Sequence, residues 1–218
     1  MKYNYIIAKT SGWLFVLLLV AGCKRDKNNL PSGQIMEVHI LGEEEDAMGD
    51  EKVVYWIDGV KRTSLANSIR ANYVKLYGNN VYVLGSIFEN GADKVAYLKN
   101  EQLFKVEASA SSGGVSYQPM DIEVSGNDVY VLCNAQTSAS TFVGYFKNNT
   151  WVSLVMPADL IQYHVRSILV KNNDVHIAGS AYLPGSATGS RALYWKNNLA
   201  PVKLDSPAPP VYSFGRSI

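Results

Sequence analysis

The residue types that most often bind metals in proteins are few in this chain, and their spacing does not suit a metal site. His39 and His176 fall at a position that holds tyrosine in other copies of a repeat, which indicates packing or cross-strand pairing. His164 has no Asp or Glu at ligand-like spacing. The acidic run 43–46 with Asp50 matches a calcium loop only loosely and is typical of a solvated loop. The sequence therefore predicts no metal site.

Motifs for covalent or phosphate chemistry are also missing from the sequence. It contains no glycine-rich phosphate loop, no Gly-x-Ser-x-Gly elbow and no zinc-type spacing. Besides Cys23 the only cysteine is Cys133, which takes a repeat position that holds glycine in two other copies. This favours a buried small residue over a nucleophile, because no activating base is recognisable. We therefore assign no catalytic residue and no cofactor, and we favour a non-enzymatic role.

A set of aromatic and polar residues has the types needed to bind a sugar or a peptide. Tyr117 and Tyr163 each lie five residues before an isoleucine that opens a predicted strand, in what we interpret as entry loops. The predicted ligand-binding residues are Tyr117, Tyr163, Tyr212, Gln118, Arg166 and Arg216, with Gln162 beside them. In the alternative interpretation each tyrosine only caps the core between neighbouring repeats.

These residues belong to a repeat that two landmarks define. The first is a short apolar strand, seen at 81–85, 129–133 and 175–179 and more faintly at 38–42. The second is an aromatic strand that ends in a turn, at 55–58, 97–100, 145–148 and 194–197. Both recur at 42 to 49 residues, which is the spacing of a repeat architecture.

Each repeat is predicted to contain four short antiparallel strands. In the clearest copy, residues 121–154, period-two alternation and β-branched or aromatic runs are separated by Gly, Asn and Asp turns. Four-stranded repeats of this length predict an all-β fold, a β-propeller of antiparallel blades. The predicted boundaries are an incomplete blade at 36–66, blades at 72–107, 120–155 and 166–205, and the start of another at 211–218.

The N-terminus resembles the leader of bacterial lipoproteins. An apolar run at 13–20 is too short to span a bilayer as a helix, and it ends in Ala21-Gly22-Cys23, which is similar to a lipobox. The resemblance implies that residues 1–22 are a signal peptide, that Cys23 carries the lipid and that 23–35 form a flexible tether. An ordinary secretory signal is the alternative. Lys24, in place of the aspartate of inner-membrane retention signals, leaves the outer membrane or cell surface as the expected location.

Residues 36–218 resemble the blades of propeller lipoproteins of Gram-negative bacteria. The shared pattern is a Gly-Asn-Asp turn, then Val-Tyr-Val, then an aromatic pair followed by Lys-Asn. The resemblance implies the fold and the location, but no particular ligand. Because the last motif is cut short at Ile218, we expect the chain to hold about 3.5 to 4 blades and to be a fragment of a larger ring. The alternative is that these residues form a closed four-bladed ring.

Composition and motifs together predict a membrane-anchored, non-catalytic binding module for a glycan or a protein ligand. The chain holds 20 basic and 19 acidic residues, and this balance argues against nucleic acid as a partner. Two alternatives stay open at this point. One is a carbohydrate-active propeller enzyme, a glycoside hydrolase or lyase, whose catalytic residues lie in absent blades, and the other is a scaffold of an envelope complex.

Overall fold

The computed structural model describes residues 7–8, 38–45, 51–62, 69–106, 114–185 and 189–204. These residues form four four-stranded sheets, and none of them is helical. The predicted all-β propeller fold of four-stranded antiparallel blades is thus confirmed. The chain divides into two compact units, residues 1–67 and residues 68–218, and each is described by itself.

The first unit contains one sheet, blade 1. Its strands are β1 (Ile7–Ala8), β2 (His39–Glu45), β3 (Glu51–Ile57) and β4 (Val60–Arg62). Strands β2 to β4 form an antiparallel meander, whereas β1 pairs with β2 in parallel. Strand β1 lies outside the predicted incomplete blade at 36–66 and within residues 1–22, the predicted signal peptide. The backbone N–H and C=O groups along the edge of β2 explain the pairing, because a strand edge accepts any extended segment that reaches it.

The second unit contains blades 2, 3 and 4, each an antiparallel meander in chain order. Blade 2 consists of β5 (Arg70–Tyr77), β6 (Asn80–Glu89), β7 (Ala92–Lys99) and β8 (Gln102–Lys105). Blade 3 consists of β9 (Ser116–Ser125), β10 (Asp128–Gln136), β11 (Thr141–Lys147) and β12 (Thr150–Ser153). Blade 4 consists of β13 (Ile161–Lys171), β14 (Asp174–Tyr182), β15 (Ser190–Lys196) and β16 (Val202–Leu204).

The three blades of this unit fan out from their first strands. Strand β9 contacts both β5 and β13, whereas the fourth strands β8, β12 and β16 contact only the third strand of their own blade among the described elements. This places β5, β9 and β13 on the inner side and the short fourth strands on the outer side. The arrangement is that of propeller blades.

The hydrophobic core lies between the faces of neighbouring blades. Along β10, Tyr130 and Leu132 pack toward blade 4, while Val131 and Cys133 pack toward blade 2. The period-two alternation of a strand therefore supplies two interfaces at once. Full burial of a side chain such as Leu132 is worth roughly 1.5–3 kcal/mol, so the blades stabilise one another.

A β-bulge interrupts the first strand of every blade in this unit at the same repeat position. The bulged residues are Asn72 in β5, Met120 in β9 and Arg166 in β13. Gly85, Cys133 and Gly179 lie opposite these bulges. An added Cβ would collide with the carbonyl oxygen of Arg70 at Gly85 and with that of His164 at Gly179, which explains the glycines of blades 2 and 4.

The bulges also correct the predicted blade boundaries. The first strands begin at residues 70, 116 and 161, ahead of the predicted starts at 72, 120 and 166. Tyr117 and Tyr163 therefore lie in strands β9 and β13, and not in the entry loops that we expected. A bulge shifts the side-chain alternation by one residue, so the residues before it no longer fit the pattern of the strand that follows.

The second unit has an entry face and a turn face at opposite edges of its blades. The entry face is the edge at which the first strands begin. It also carries the loops 90–91 and 137–140 between second and third strands and, in blade 4, residues 183–185 after β14. The turn face is the other edge, with the tight turns 78–79, 126–127 and 172–173 and the turns 100–101, 148–149 and 197–198.

An asparagine closes each blade at the turn face. Asn148 accepts a hydrogen bond from the backbone N–H of Val129 at 2.9 Å and donates one to Asp128 at 2.6 Å. The equivalent residues Asn100 and Asn197 do the same in blades 2 and 4. All three have positive φ angles, between 45° and 56°, a region that Asn tolerates better than most residues. The repeated Lys-Asn motif is therefore a structural clamp.

Candidate functional site

A cavity of about 470 Å³ opens at the entry face between blade 3 and the segment that leads into blade 4. It is lined by residues 136–141, by Met156 and by residues 160–163. One wall is thus the loop between β10 and β11, and the other is the start of β13. The volume lies within the usual range of small-molecule sites.

The loop wall is ordered by its own hydrogen bonds. The Thr137 hydroxyl oxygen accepts from the backbone N–H of Ser140 at 3.0 Å and from that of Ala139 at 3.2 Å. The backbone N–H of Thr137 in turn donates to the carbonyl of Ser140 at 2.8 Å. Such local side-chain-to-backbone bonds stabilise a compact turn. The exposed side chains of Ser138, Ala139 and Ser140 are therefore presented on a preformed wall.

The opposite wall is built around Tyr163. Its ring is buried, and its hydroxyl donates to the carbonyl of Pro157 and lies 3.2 Å from that of Leu160. Burial, and to a lesser extent the negative charge of Asp159, raises the pKa of Tyr163, so the phenol is neutral at physiological pH. Next to it Gln162 has a φ angle of 51° at a second irregularity of β13, and its side chain is exposed. Backbone in this region is found more often at functional sites than elsewhere.

The chemistry of the cavity is that of a neutral polar surface with an apolar floor. Hydroxyls and amides come from residues 136–138, 140–141 and 162, and apolar area comes from Met156 and Ile161, which are 39% and 42% exposed. The described residues that line it include no Asp, Glu, His, Lys or Arg. Such a surface donates and accepts hydrogen bonds, but the lining supplies no acid and base pair for catalysis.

The structure brings only part of the predicted ligand-binding set to this cavity. Tyr163 and Gln162 line it, whereas Tyr117 packs edge-to-face against Phe146 and Trp151, with ring centroids 5.1 Å away in each case. The two tyrosines pack in different core clusters. The equivalent residue in blade 2 is the buried Ile69, as expected for a position that caps the core.

The remaining predicted residues are exposed or lie outside the described ranges. Gln118 in β9 and the bulge residue Arg166 in β13 are exposed on the inner strands. The ligand-binding role of Tyr117, Gln118, Tyr163 and Arg166 stays a prediction. Cys23, Tyr212 and Arg216 lie outside the described residues.

Sequence reasoning missed the loop wall. The sequence of residues 137–140 predicts only a polar loop, and Met156 belongs to no recognisable motif. The one available signal was the hydroxyl-rich composition of residues 137–141, Thr-Ser-Ala-Ser-Thr. That composition cannot reveal that the loop faces the segment leading into the next blade.

Two buried carboxylates on β9 are used for structure. The Asp121 carboxylate accepts from the backbone N–H of Ile122 at 2.8 Å and from that of Ile168, in blade 4, at 2.9 Å. Burial raises the pKa of Asp121, although these hydrogen bonds and the charge of Lys75 act against the rise. Glu123 forms a salt bridge with Lys75 of blade 2. Both carboxylates thus connect neighbouring blades.

His39, His176 and Cys133 have structural roles in the described part of the chain. His176 hydrogen-bonds the Tyr194 hydroxyl at 2.6 Å through Nδ1, with the rings stacked, and His39 pairs with Tyr55 in the same way. This confirms the predicted cross-strand pairing. The described residues contain no group of three or more His, Cys, Asp or Glu that could hold a metal.

Burial also sets the protonation of the Cys133 thiol and the His164 imidazole. The Cys133 thiol is fully buried, which raises its pKa and leaves it protonated. This is the buried small residue that the repeat predicted. Burial, followed by the positive charge of Arg166, lowers the pKa of His164 and so favours the neutral imidazole.

Comparison with known proteins assigns neither a family nor a function to this chain. No protein-family model matches the chain, and no curated protein matches it significantly. Within the described ranges, no helix is long and apolar enough to cross a membrane.

Proposed function

We propose that this protein is a non-catalytic binding module that holds a neutral glycan at the entry face, in the cavity between residues 136–141 and 160–163. The observation that carries the proposal is the lining of this cavity, where hydroxyls and amides surround an exposed apolar floor without a charged residue. A sugar presents hydroxyls at its rim and C–H groups on its faces, and this lining offers hydrogen-bonding groups for the first and apolar area for the second. The preformed Thr137 turn favours binding, because little loop ordering remains to be done.

Binding is favoured over turnover by the way in which the buried acids are used. Hydrolysis of a glycoside generally needs two carboxylates that face the scissile bond. In the described blades the buried acids Asp121 and Glu123 are bound to the backbone of Ile168 and to Lys75. Neither lines the cavity.

A steric block of the cavity tests this proposal. The full chain would be applied to an array of neutral and acidic glycans, and the best glycan would then be titrated calorimetrically. We expect a neutral glycan to bind without chemical change, and Ala139→Trp to abolish binding. Ala92→Trp is the matched control, because it places the same ring beside the corresponding loop of blade 2. Three results would each refute the proposal: the Ala139→Trp variant still binds the glycan, the array shows no bound glycan, or cleaved sugar is released.

We further propose that Cys23 carries a lipid that anchors the module at a bacterial envelope membrane, at the outer membrane or cell surface. The support is the apolar run 13–20 followed by Ala21-Gly22-Cys23. Each buried methylene of an acyl chain contributes roughly 0.8 kcal/mol, so several chains hold a domain at a membrane. Palmitate labelling and membrane fractionation of wild type and Cys23→Ser test this anchor. Unlabelled, fully soluble wild-type protein would contradict it.

A further inference from the structure

The repeat contains a lysine whose acidic partner is missing in one blade only. The third strand of blades 3 and 4 ends in Lys147 and Lys196. Their ammonium groups form salt bridges with Asp128 at 2.8 Å and with Asp174 at 2.7 Å, the residues that open the second strands. The ion pair thus recurs at the turn face of both blades.

Blade 2 keeps the lysine but lacks the carboxylate. Lys99 ends β7 at the equivalent position, and Asn80 stands where the other blades have aspartate. Asn80 still accepts the clamp hydrogen bond, from Asn100 Nδ2 at 2.7 Å, so the fold of the turn is retained without the charge. Among the described residues, Lys99 forms no salt bridge, and its ammonium lies 5.8 Å from the centre of the Tyr82 ring.

Lys99 also lines a cavity of about 320 Å³ at the turn face between blades 2 and 3. Tyr97 and Phe104 form one apolar wall, with parallel rings whose centroids are 5.2 Å apart. Polar edges come from Asn127 and Asn149 of blade 3. The described lining contains no acidic residue and no other basic one, so Lys99 is its one charged group.

We propose that this cavity binds a small organic carboxylate with a flat apolar body. The Lys99 ammonium pairs with the carboxylate of the ligand, in place of the aspartate that the other blades supply. The rings of Tyr97 and Phe104 pack against the body of the ligand. The site is separate from the entry-face cavity, since it lies at the opposite edge of the blades and shares no lining residue with it.

The test uses benzoate and glucuronate as probes and benzamide and glucose as their uncharged counterparts. Each would be titrated into the full chain and followed by calorimetry and by NMR of the aromatic side chains. We expect benzoate to bind and benzamide to bind at least about tenfold more weakly, because a hydrogen bond to a charged group is lost. Glucuronate carries the negative charge without a flat apolar body, so we expect it to bind more weakly than benzoate, and equal affinity for the two would refute the role of the Tyr97 and Phe104 rings.

The repeat itself provides the decisive variant. Asn80→Asp restores the ion pair of the other blades, and Asp128 shows that an aspartate there still accepts the clamp hydrogen bond. We expect Asn80→Asp and Lys99→Gln to weaken benzoate binding at least about tenfold, Lys99→Arg to retain it, and the control Lys196→Gln in blade 4 to leave it unchanged.

Thermal melts of every variant establish folding. Lys99→Arg and Asn80→Asp each preserve the local hydrogen bonds and are expected to fold. If Lys99→Gln fails to fold, these two variants still test the proposal. Equal affinity for benzoate and benzamide, no benzoate binding, or full affinity in Asn80→Asp would overturn the proposal.

Discussion

Removal of the asparagine clamp in blade 3 should destabilise the protein measurably. The Asn148 side chain accepts from the N–H of Val129 at 2.9 Å and donates to Asp128 at 2.6 Å. Its φ angle is 45°, in the left-handed region. Asn148→Ala deletes both side-chain hydrogen bonds and also places an alanine in a backbone conformation that Ala seldom adopts.

The expected magnitude follows from these two losses. Each hydrogen bond contributes about 0.5–1.5 kcal/mol net, toward the low end here because the turn is exposed. The left-handed conformation costs a residue with a Cβ about 1–2 kcal/mol, part of which Asn148 already bears. We therefore expect Asn148→Ala to lower the free energy of unfolding by roughly 2–3 kcal/mol. For a chain of this length that corresponds to a decrease in Tm of about 4–12 °C.

The neighbouring residue supplies a matched control. Asn149 also has a left-handed φ angle, 68°, and no hydrogen bond of its side chain is found among the described residues. Asn149→Ala therefore isolates the backbone cost, and its difference from Asn148→Ala measures the clamp. Urea unfolding followed by circular dichroism gives both values. If the two variants differ by less than about 0.5 kcal/mol, an amount below one hydrogen bond, the clamp interpretation is wrong.

Three further outcomes follow from the packing of the inner strands. Because burial raises the folded-state pKa of Asp121, the stability that its protonated form provides is fully present below about pH 4 and is lost as pH rises through the folded-state pKa. The stability of wild type relative to Asp121→Asn should therefore fall as pH rises, and urea unfolding that shows a constant difference would contradict this. Gly179→Ala should cost roughly 1–3 kcal/mol in thermal melts, because its Cβ would collide with the carbonyl of His164; an unchanged Tm would refute the close approach. Since burial raises the pKa of Cys133, Ellman's reagent should label the single thiol of a Cys23→Ser variant only after unfolding, and rapid labelling of that variant in its native state would show that the site is open.

Local sequence patterns predicted the blades well, for identifiable reasons. The predicted apolar strand at 129–133 lies inside β10, and the predicted Gly, Asn and Asp turns of this copy include the observed turn at 126–127. Period-two alternation and left-handed turn residues act over a few neighbours, so they can be read without knowledge of the fold. The starts of β9 and β13 were missed, because a bulge breaks the alternation that reveals a strand.

The sequence by itself determined the repeat, the all-β class and the structural role of positions such as Cys133 and His176. Only the tertiary structure decided where two blades meet, and both proposed sites depend on this. Residues 137–140 form a cavity wall only because the segment leading to β13 faces them. Lys99 lines a cavity only because blade 3 packs against blade 2. The physical reason is that backbone conformation follows from near neighbours along the chain, whereas a cavity depends on side chains that packing brings together from distant positions.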